Sequence, residues 1–201
     1  TYDNYGNITS ITHKSDENDA GLKTIYDYTN NFASYPSSIK DPAGNTVNFS
    51  YQGNNLYKII LPEVEVTDPN DYSNIYTTRP EYTLSYNQIG QITNIKLPDG
   101  INIGYSYDYN GYPVEIIYDN SPIGLNITLT LTYDTRGNVS AVTDPDGVVT
   151  SYLYDNIDNL TSIVNALNEK TKIKYNAAGL VSSVYRQLGP QFNENTSIAT
   201  H

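Results

Sequence analysis

Along residues 127–133 apolar and polar side chains alternate without a break. Ile127, Leu129, Leu131 and Tyr133 fall on one side of an extended chain, and Thr128, Thr130 and Thr132 fall on the other. A period of two belongs to a β-strand, because successive side chains leave opposite faces. The parity returns as Ile101, Ile103, Tyr105 and Tyr107 against Asn102, Gly104 and Ser106, and as Val47, Phe49 and Tyr51 against Thr46, Asn48 and Ser50. A helix would not keep that register.

Each such strand runs into an acidic or amide turn and then a second apolar strand, most cleanly in Tyr133-Asp134-Thr135-Arg136-Gly137-Asn138-Val139. Asp suits the first position of a type I turn, where its carboxylate accepts nearby N–H groups, and Gly suits the last. Gly6, Gly90, Gly111, Gly137 and Gly179 are expected to supply the left-handed residue of a three-residue hairpin with a bulge. In one copy Asn159, following Asp158, stands in for that glycine. After the turn comes an apolar pair three residues apart: Ile8 and Ile11, Ile92 and Ile95, Val139 and Val142, Leu160 and Ile163; Leu180 and Val184 are four apart. The first member is expected to cover the bulge and the second to return to the apolar face. A second turn, as in Asp41-Pro42-Ala43-Gly44, Leu97-Pro98-Asp99-Gly100 and Asp144-Pro145-Asp146-Gly147, sends the chain back and makes an antiparallel meander.

The copies begin at Tyr2, Tyr26, Tyr51, Tyr86, Tyr107, Tyr133, Tyr154 and Tyr175, and the last three are 21 residues apart. A period near twenty with variable insertions marks an array whose units cannot bury an apolar face alone. Two stretches interrupt it, 12–23, which is rich in charge, and 63–80. Both are expected to be loop insertions between hairpins, although the alternation Glu63-Val64-Glu65-Val66 allows an added strand. The expected fold is all-β: residues 1–201 as a single array of about eight antiparallel β-hairpins forming one long curved, spiralling sheet. Open twisted sheets rarely exceed about ten strands without curling, and about sixteen strands at ~4.8 Å would span roughly 75 Å. The chain begins in mid-pattern and ends after a partial unit, so a fragment of a larger protein is expected.

Composition changes this picture in two ways. The 201 residues include 21 Tyr but no Cys, Met or Trp, so tyrosine supplies much of the apolar area. The formal charge of −11, with only 11 Lys and Arg, argues against nucleic acid as a partner. No run approaches the ~18 apolar residues of a membrane helix, so no membrane insertion is expected of this segment.

Candidate chemistry is sparse. A nucleophilic triad needs a base, and the two histidines, His13 and His201, lie in the charged stretch and at the terminus. No catalytic residue, cofactor or metal is expected, and the chain is not read as an enzyme. Asp144 and Asp146 could be an acid–base pair or calcium ligands, but an Asp-Pro-Asp-Gly turn accounts for them and the EF-hand spacing is absent. Glycosylation acceptor patterns at Asn7, Asn48, Asn126, Asn138 and Asn159 are read as by-products of Gly-Asn followed by strand threonines.

The recurring string Tyr-x-Tyr-Asp-x-x-Gly-Asn/Arg-Leu/Ile/Val resembles the Rhs or YD-repeat family. Tyr152-Leu153-Tyr154-Asp155, Tyr105-Ser106-Tyr107-Asp108 and Tyr26-Asp27-Tyr28 carry its first half, and Gly6-Asn7-Ile8 and Gly137-Asn138-Val139 its second. Tyr51-Gln52, Tyr86-Asn87 and Tyr175-Asn176 depart from it by lacking the Asp. The resemblance implies a hollow shell of hairpins, as in Rhs toxins, insecticidal toxin complexes and teneurins, and also wall-associated bacterial surface proteins. It further implies a secreted or cell-surface location, a non-catalytic part of a shell or stalk enclosing or displaying a toxin or effector, and neighbouring repeats as principal partners. The rival reading is a carbohydrate-binding adhesin segment that meets cell-surface glycans. Tyr5, Tyr57, Tyr109, Tyr112 and Tyr118 lie off the regular ladder and are its candidate contacts.

Overall fold

Every two-residue alternation singled out above is a strand of an antiparallel hairpin. The computed structural model describes residues 1–16, 19–28, 34–186 and 198–200, and among them there is no helix. The chain divides into two compact units, residues 1–102 and 103–201.

In the first unit β1 (Ser10–His13), β2 (Leu22–Asp27), β3 (Ser38–Lys40), β4 (Thr46–Gln52) and β5 (Asn55–Ile60) pair in chain order. The ladder then passes directly to β8 (Glu81–Tyr86) and β9 (Ile92–Lys96). The intervening β6 (Val64–Asp68) and β7 (Asp71–Thr78) form a separate two-stranded ladder. Residues 63–80, expected as an extended loop, are therefore a hairpin inserted between two strands that pair without it. The Glu63 to Val66 alternation was the signal, and Asp68-Pro69-Asn70-Asp71 is its tip. The other expected loop, 12–23, is also partly strand, since it holds the end of β1 and the start of β2. Residues 17 and 18 of that stretch lie outside the described residues.

In the second unit β10 (Asn102–Tyr107), β11 (Pro113–Tyr118), β12 (Ile127–Tyr133), β13 (Val139–Thr143), β14 (Val149–Tyr154), β15 (Leu160–Val164), β16 (Lys170–Tyr175), β17 (Val181–Arg186) and β18 (Ile198–Thr200) follow one another in strict order. A meander of this kind needs only local pairing, which is what a repeat of short hairpins supplies.

The register explains the apolar pairs three residues apart. Tyr133 lies opposite Val139, but Thr132 lies opposite Ala141, so Ser140 is an extra residue. A bulge of this kind shifts the strand by one position. Val139 then shares a face with Tyr133, and Val142 shares it with Leu131. Both members of the pair thus sit on the apolar face, and neither merely covers the bulge. The same shift recurs where Tyr51 meets Leu56, Tyr86 meets Ile92, Tyr107 meets Pro113 and Tyr154 meets Leu160. In the last hairpin Tyr175 meets Val181, so the apolar pair is Val181 and Val184, three apart like the rest. Leu180, expected as its first member, closes the turn instead, its N–H bonded to the Asn176 side chain.

No apolar side chain among the described residues is buried. Leu129, Leu131, Tyr133 and Val142 are half-buried, covered by neighbours in their own sheet. Half-burying one tyrosine ring contributes about 2–3 kcal/mol gross, before chain entropy opposes it. Cohesion therefore depends heavily on what joins one hairpin to the next.

Candidate functional site

The junctions between repeats are built from two recurring devices, a turn locked by an Asx side chain and a tyrosine that reaches back to the preceding repeat.

In the turn after Tyr133, the Gly137 N–H donates to the Asp134 carbonyl at 3.1 Å and the Asp134 N–H to the Asn138 carbonyl at 2.8 Å. Asp134 Oδ1 accepts the N–H groups of Arg136 and Asn138, while Oδ2 accepts the Asn138 side-chain amide. Asp3 with Asn7, Asp41 with Asn45 and Asp155 with Asn159 repeat this carboxylate–amide lock. The acceptor-pattern asparagines Asn7, Asn138 and Asn159 thus hold turns closed, a role that the by-product reading missed. Where Asp is lacking, Asn87 and Asn176 accept the same pair of N–H groups through Oδ1. Gln52 departs from the scheme: it pairs with Asn55 across a two-residue Gly53-Asn54 turn.

At the opposite hairpin ends, turns that begin with Asp144 or Asn165 use the same pair of N–H bonds. Asp144 Oδ1 accepts the N–H groups of Asp146 and Val148, which occupies the carboxylate in the turn itself. Asn165 does likewise for Leu167 and Glu169, in a turn the sequence reading overlooked because it holds neither Pro nor Gly. What distinguishes the two ends is the bulge beside each ladder tyrosine.

Gly6, Gly90, Gly111, Gly137 and Gly179 have φ of 86°, 83°, 88°, 89° and 76°. In the copy without glycine the left-handed residue is Asp158, φ 65°, and not Asn159. Asp, like Asn, tolerates this region better than most residues. Asn159 is needed one place later, to lock Asp155.

The second device crosses between repeats. The Tyr133 hydroxyl donates to the Pro113 carbonyl at 2.6 Å, and Pro113 is the residue opposite the preceding ladder tyrosine, Tyr107. Tyr86 donates to Leu56, opposite Tyr51, at 2.7 Å, and Tyr175 to Leu160, opposite Tyr154, at 2.9 Å. Tyr51 donates to Pro36 at 3.1 Å. The bulge disrupts the main-chain ladder at these residues, and the next repeat's hydroxyl supplies a donor to the carbonyl there. In the repeat begun at Tyr26 the hydroxyl reaching back is that of Tyr28, which donates to Ile8 at 3.0 Å. Tyr26 lies opposite Ile39, as Tyr105 lies opposite Ile116, so the ladder residue is Tyr28. Tyr2 makes a single bridge to Ile8.

Two Tyr-Pro dipeptides sharpen this contact. Tyr112 stacks on Tyr133 with ring centroids 4.9 Å apart, and Tyr35 stacks on Tyr51 at 5.5 Å. In both cases the proline that follows accepts the hydroxyl of the stacked ring. The signal was the shared dipeptide, Tyr35-Pro36 and Tyr112-Pro113, which falls outside the repeat consensus.

Arg136 adds a link between successive turns. Its guanidinium donates to the Asp155 carbonyl at 2.6 Å and pairs with Asp158 at 3.1 Å, and Asn138 also donates to Asp158. Residue 158 thus combines the left-handed turn position with an anchor for the previous repeat.

These contacts shift the titration of their groups. Burial pushes Tyr133 upward, with Asp108 and Tyr112 adding to it, and burial leads in the same direction for Tyr28, Tyr51, Tyr107 and Tyr154. The Asn45 and Asn159 side chains hold Asp41 and Asp155 below the usual carboxylate range. For Asp3 and Asp134 burial works upward, but hydrogen bonds from Asn7 and Asn138 outweigh it and the net shift is downward.

The candidate sugar-contact tyrosines do not converge. Tyr109 is fully exposed on a turn and Tyr5 is exposed on another. Tyr118 lies in strand β11 between Ile103 and Ile127, and Tyr112 is engaged with Tyr133. Tyr57 is the extra residue of its bulge and borders an open cleft of about 430 Å³ with Gln52, Asn55, Leu84, Ser85, Tyr86 and Asn87. His13 is exposed at the end of β1, and His201 lies outside the described residues. Among the described residues no three His, Cys, Asp or Glu side chains gather to hold a metal ion, and no helix could cross a membrane.

Residues 133–170 match the family model described as RHS Repeat. That segment contains two ladder tyrosines, two locked YD turns and the Arg136 link. The fold is similar to part of the Photorhabdus luminescens Tc holotoxin pore, with a TM-score of 0.66 and 14% identity over 90% of this chain and 10% of that one. It is also similar to part of a TcdB2-TccC3-Cdc42 complex, with a TM-score of 0.50 and 11% identity over 82% of this chain and 11% of that one. The chain thus spans about a tenth of the structures it matches. No curated protein matches it. Residues 133–170 are thus an RHS repeat, set in a hairpin array whose fold is similar to parts of these toxin-complex structures.

Proposed function

We propose that this chain is a non-catalytic structural segment of a larger secreted or cell-surface protein, forming part of a β-shell or stalk that encloses or displays a toxin or effector. The observation that carries the reading is the set of tyrosine-to-carbonyl bonds. Tyr51, Tyr86, Tyr133 and Tyr175 each commit their polar tip to the preceding repeat. Side chains used in this way extend an array, and neither His13 nor the turn carboxylates are arranged for acid–base or nucleophilic work. The partners are then the neighbouring repeats of the full-length chain and an enclosed effector, with no role for nucleic acid or membrane insertion.

Protease protection of the full-length protein tests this. An effector segment should resist digestion in the intact protein and become sensitive when Tyr86 and Tyr133 are both replaced by Ala. Equal sensitivity in the two proteins overturns the enclosing role.

A second reading, glycan binding, is favoured by one observation, the cleft beside Tyr57. An exposed ring flanked by Gln52, Asn55 and Asn87 offers a stacking face with amide donors and acceptors. A glycan array decides between the readings: reproducible hits abolished by Tyr57→Ala favour the adhesin, and silence favours the scaffold.

A further inference from the structure

The inserted hairpin β6–β7 adds no strand to the array that carries it. β5 pairs directly with β8, with Ile60 opposite Glu81, and the Leu61 N–H donates to the Pro80 carbonyl at 2.8 Å across the base of the insertion. The insertion itself is well formed. Val64 to Thr67 pair with Ile75 to Thr78, and Asp68 and Asp71 cap the N–H groups of Asn70 and Ser73 at the tip. Yet a lone two-stranded hairpin is at best marginally stable in water, and this one shows apolar side chains to solvent. Tyr72 is 81% exposed and Ile75 61%. Tyr76 and Val64 are exposed as well. Among the described residues neither outer edge is paired to a further strand, so each strand turns the outward half of its main-chain N–H and C=O groups away from the hairpin.

We infer that the outer edge of β7 is a docking site for an extended, basic, amphipathic strand of a partner protein, which adds to the hairpin as a third strand. The edge is eight residues long, enough for a full strand. Charge selects the partner. Within residues 63–80 the four carboxylates Glu63, Glu65, Asp68 and Asp71 stand against a single base, Arg79, which lies 3.9 Å from Glu63. A second copy of this chain would bring the same carboxylates edge to edge, within a chain that already carries a formal charge of −11. On the face that holds Tyr76, Val64 and Val66 the added strand sets its apolar side chains, and on the opposite face, which holds Glu65, it sets its lysines or arginines. This docking is independent of the shell reading, since the array closes without the hairpin.

The test uses the whole chain and two capped heptapeptides, one alternating Lys and Val and the other Glu and Val. Titration of the isotope-labelled chain should show saturable binding of the Lys-Val peptide, with shifted amides confined to residues 63–80 and no response to the Glu-Val peptide. Tyr76→Asp and Glu65→Lys should each weaken binding about tenfold or more. Replacing residues 64–78 by Gly-Asn should abolish binding while leaving the array amides in place. If that replacement disturbs the array, the two point variants still decide. Absence of saturable binding, unchanged affinity in the variants or equal binding of the acidic peptide overturns the inference. Dimerisation of the chain that Tyr76→Asp dissolves would do so too, by showing that a second copy occupies the edge.

Discussion

The hydroxyl of Tyr133 lies 2.6 Å from the main-chain carbonyl of Pro113, the residue that opposes Tyr107 one repeat earlier. A bulge, a ring and a carbonyl thus form one unit. The bulge brings the second apolar residue back to the tyrosine face and interrupts the ladder, and the next tyrosine bonds to the carbonyl left there. This couples the geometry within one hairpin to the attachment of the following one.

Removing the hydroxyl alone isolates that coupling. Tyr133→Phe keeps the ring and its stack on Tyr112 but leaves the Pro113 carbonyl without this donor, at a cost of about 1–2 kcal/mol. For a unit of this size the melting temperature should fall by roughly 4–15 °C. Tyr109→Phe, on a fully exposed ring, serves as control and should not move it. Equal melting temperatures for the two variants would remove the hydroxyl from the account.

Gly137 is constrained twice. Its φ is 89°, and a Cβ there would collide with Tyr112, meeting ring atom Cζ at 2.7 Å. Gly147, φ 80°, has no atom within 4 Å of such a Cβ. Gly147→Ala should therefore cost only the left-handed strain, about 1–2 kcal/mol, whereas Gly137→Ala should cost about 3 kcal/mol or more. In a Tyr112→Ala background the excess at Gly137 should shrink, and full additivity in that double-mutant cycle would contradict the contact. Gly137→Val should exceed Ser106→Ala by a wider margin still.

Stability should fall in acid. Asp3, Asp41, Asp134 and Asp155 titrate below the ordinary 3.8 in the folded chain. The folded state therefore binds fewer protons than the unfolded one near that pH. Their contribution is present above the unfolded value and is lost as pH falls through the lowered folded values. Denaturant midpoints should hold steady from neutrality to about pH 5 and drop below about pH 4. Replacing Asp134 and Asp155 by Asn, which keeps an Oδ1 acceptor as Asn87 and Asn176 do, should flatten the drop. An unchanged acid limb would show that other groups carry it.

The same linkage runs the other way in alkali. Tyr28, Tyr51, Tyr107, Tyr133 and Tyr154 titrate above 10.0 in the fold, so their contribution is full below that value and is lost as pH rises through the raised folded values. Spectrophotometric titration should show phenolate absorbance lagging that of a denatured sample, and coincident curves would contradict the shifts.

Much of this molecule is legible in linear order because its pairings are local. Alternation at 127–133 identifies a strand, Asp134 to Gly137 identifies its turn, and repetition at Tyr154 and Tyr175 extends both along the chain. Hairpin partners lie within a few residues of one another, so side-chain period and turn chemistry suffice to name them. Contacts from one repeat to the next were not readable in the same way. Nothing in a tyrosine's neighbours says that its hydroxyl reaches a carbonyl 20 residues back, or that Tyr28 rather than Tyr26 makes the reach. Nor could spacing alone reveal that Val139 and Val142 share a face, because a bulge changes parity only once the strands are paired. Asp158 shows the same limit: its left-handed backbone belongs to the turn, but the Arg136 and Asn138 contacts that occupy its carboxylate exist only when two turns lie side by side. Local patterning specifies elements, whereas the bonds that join them depend on distances that only the assembled sheet sets.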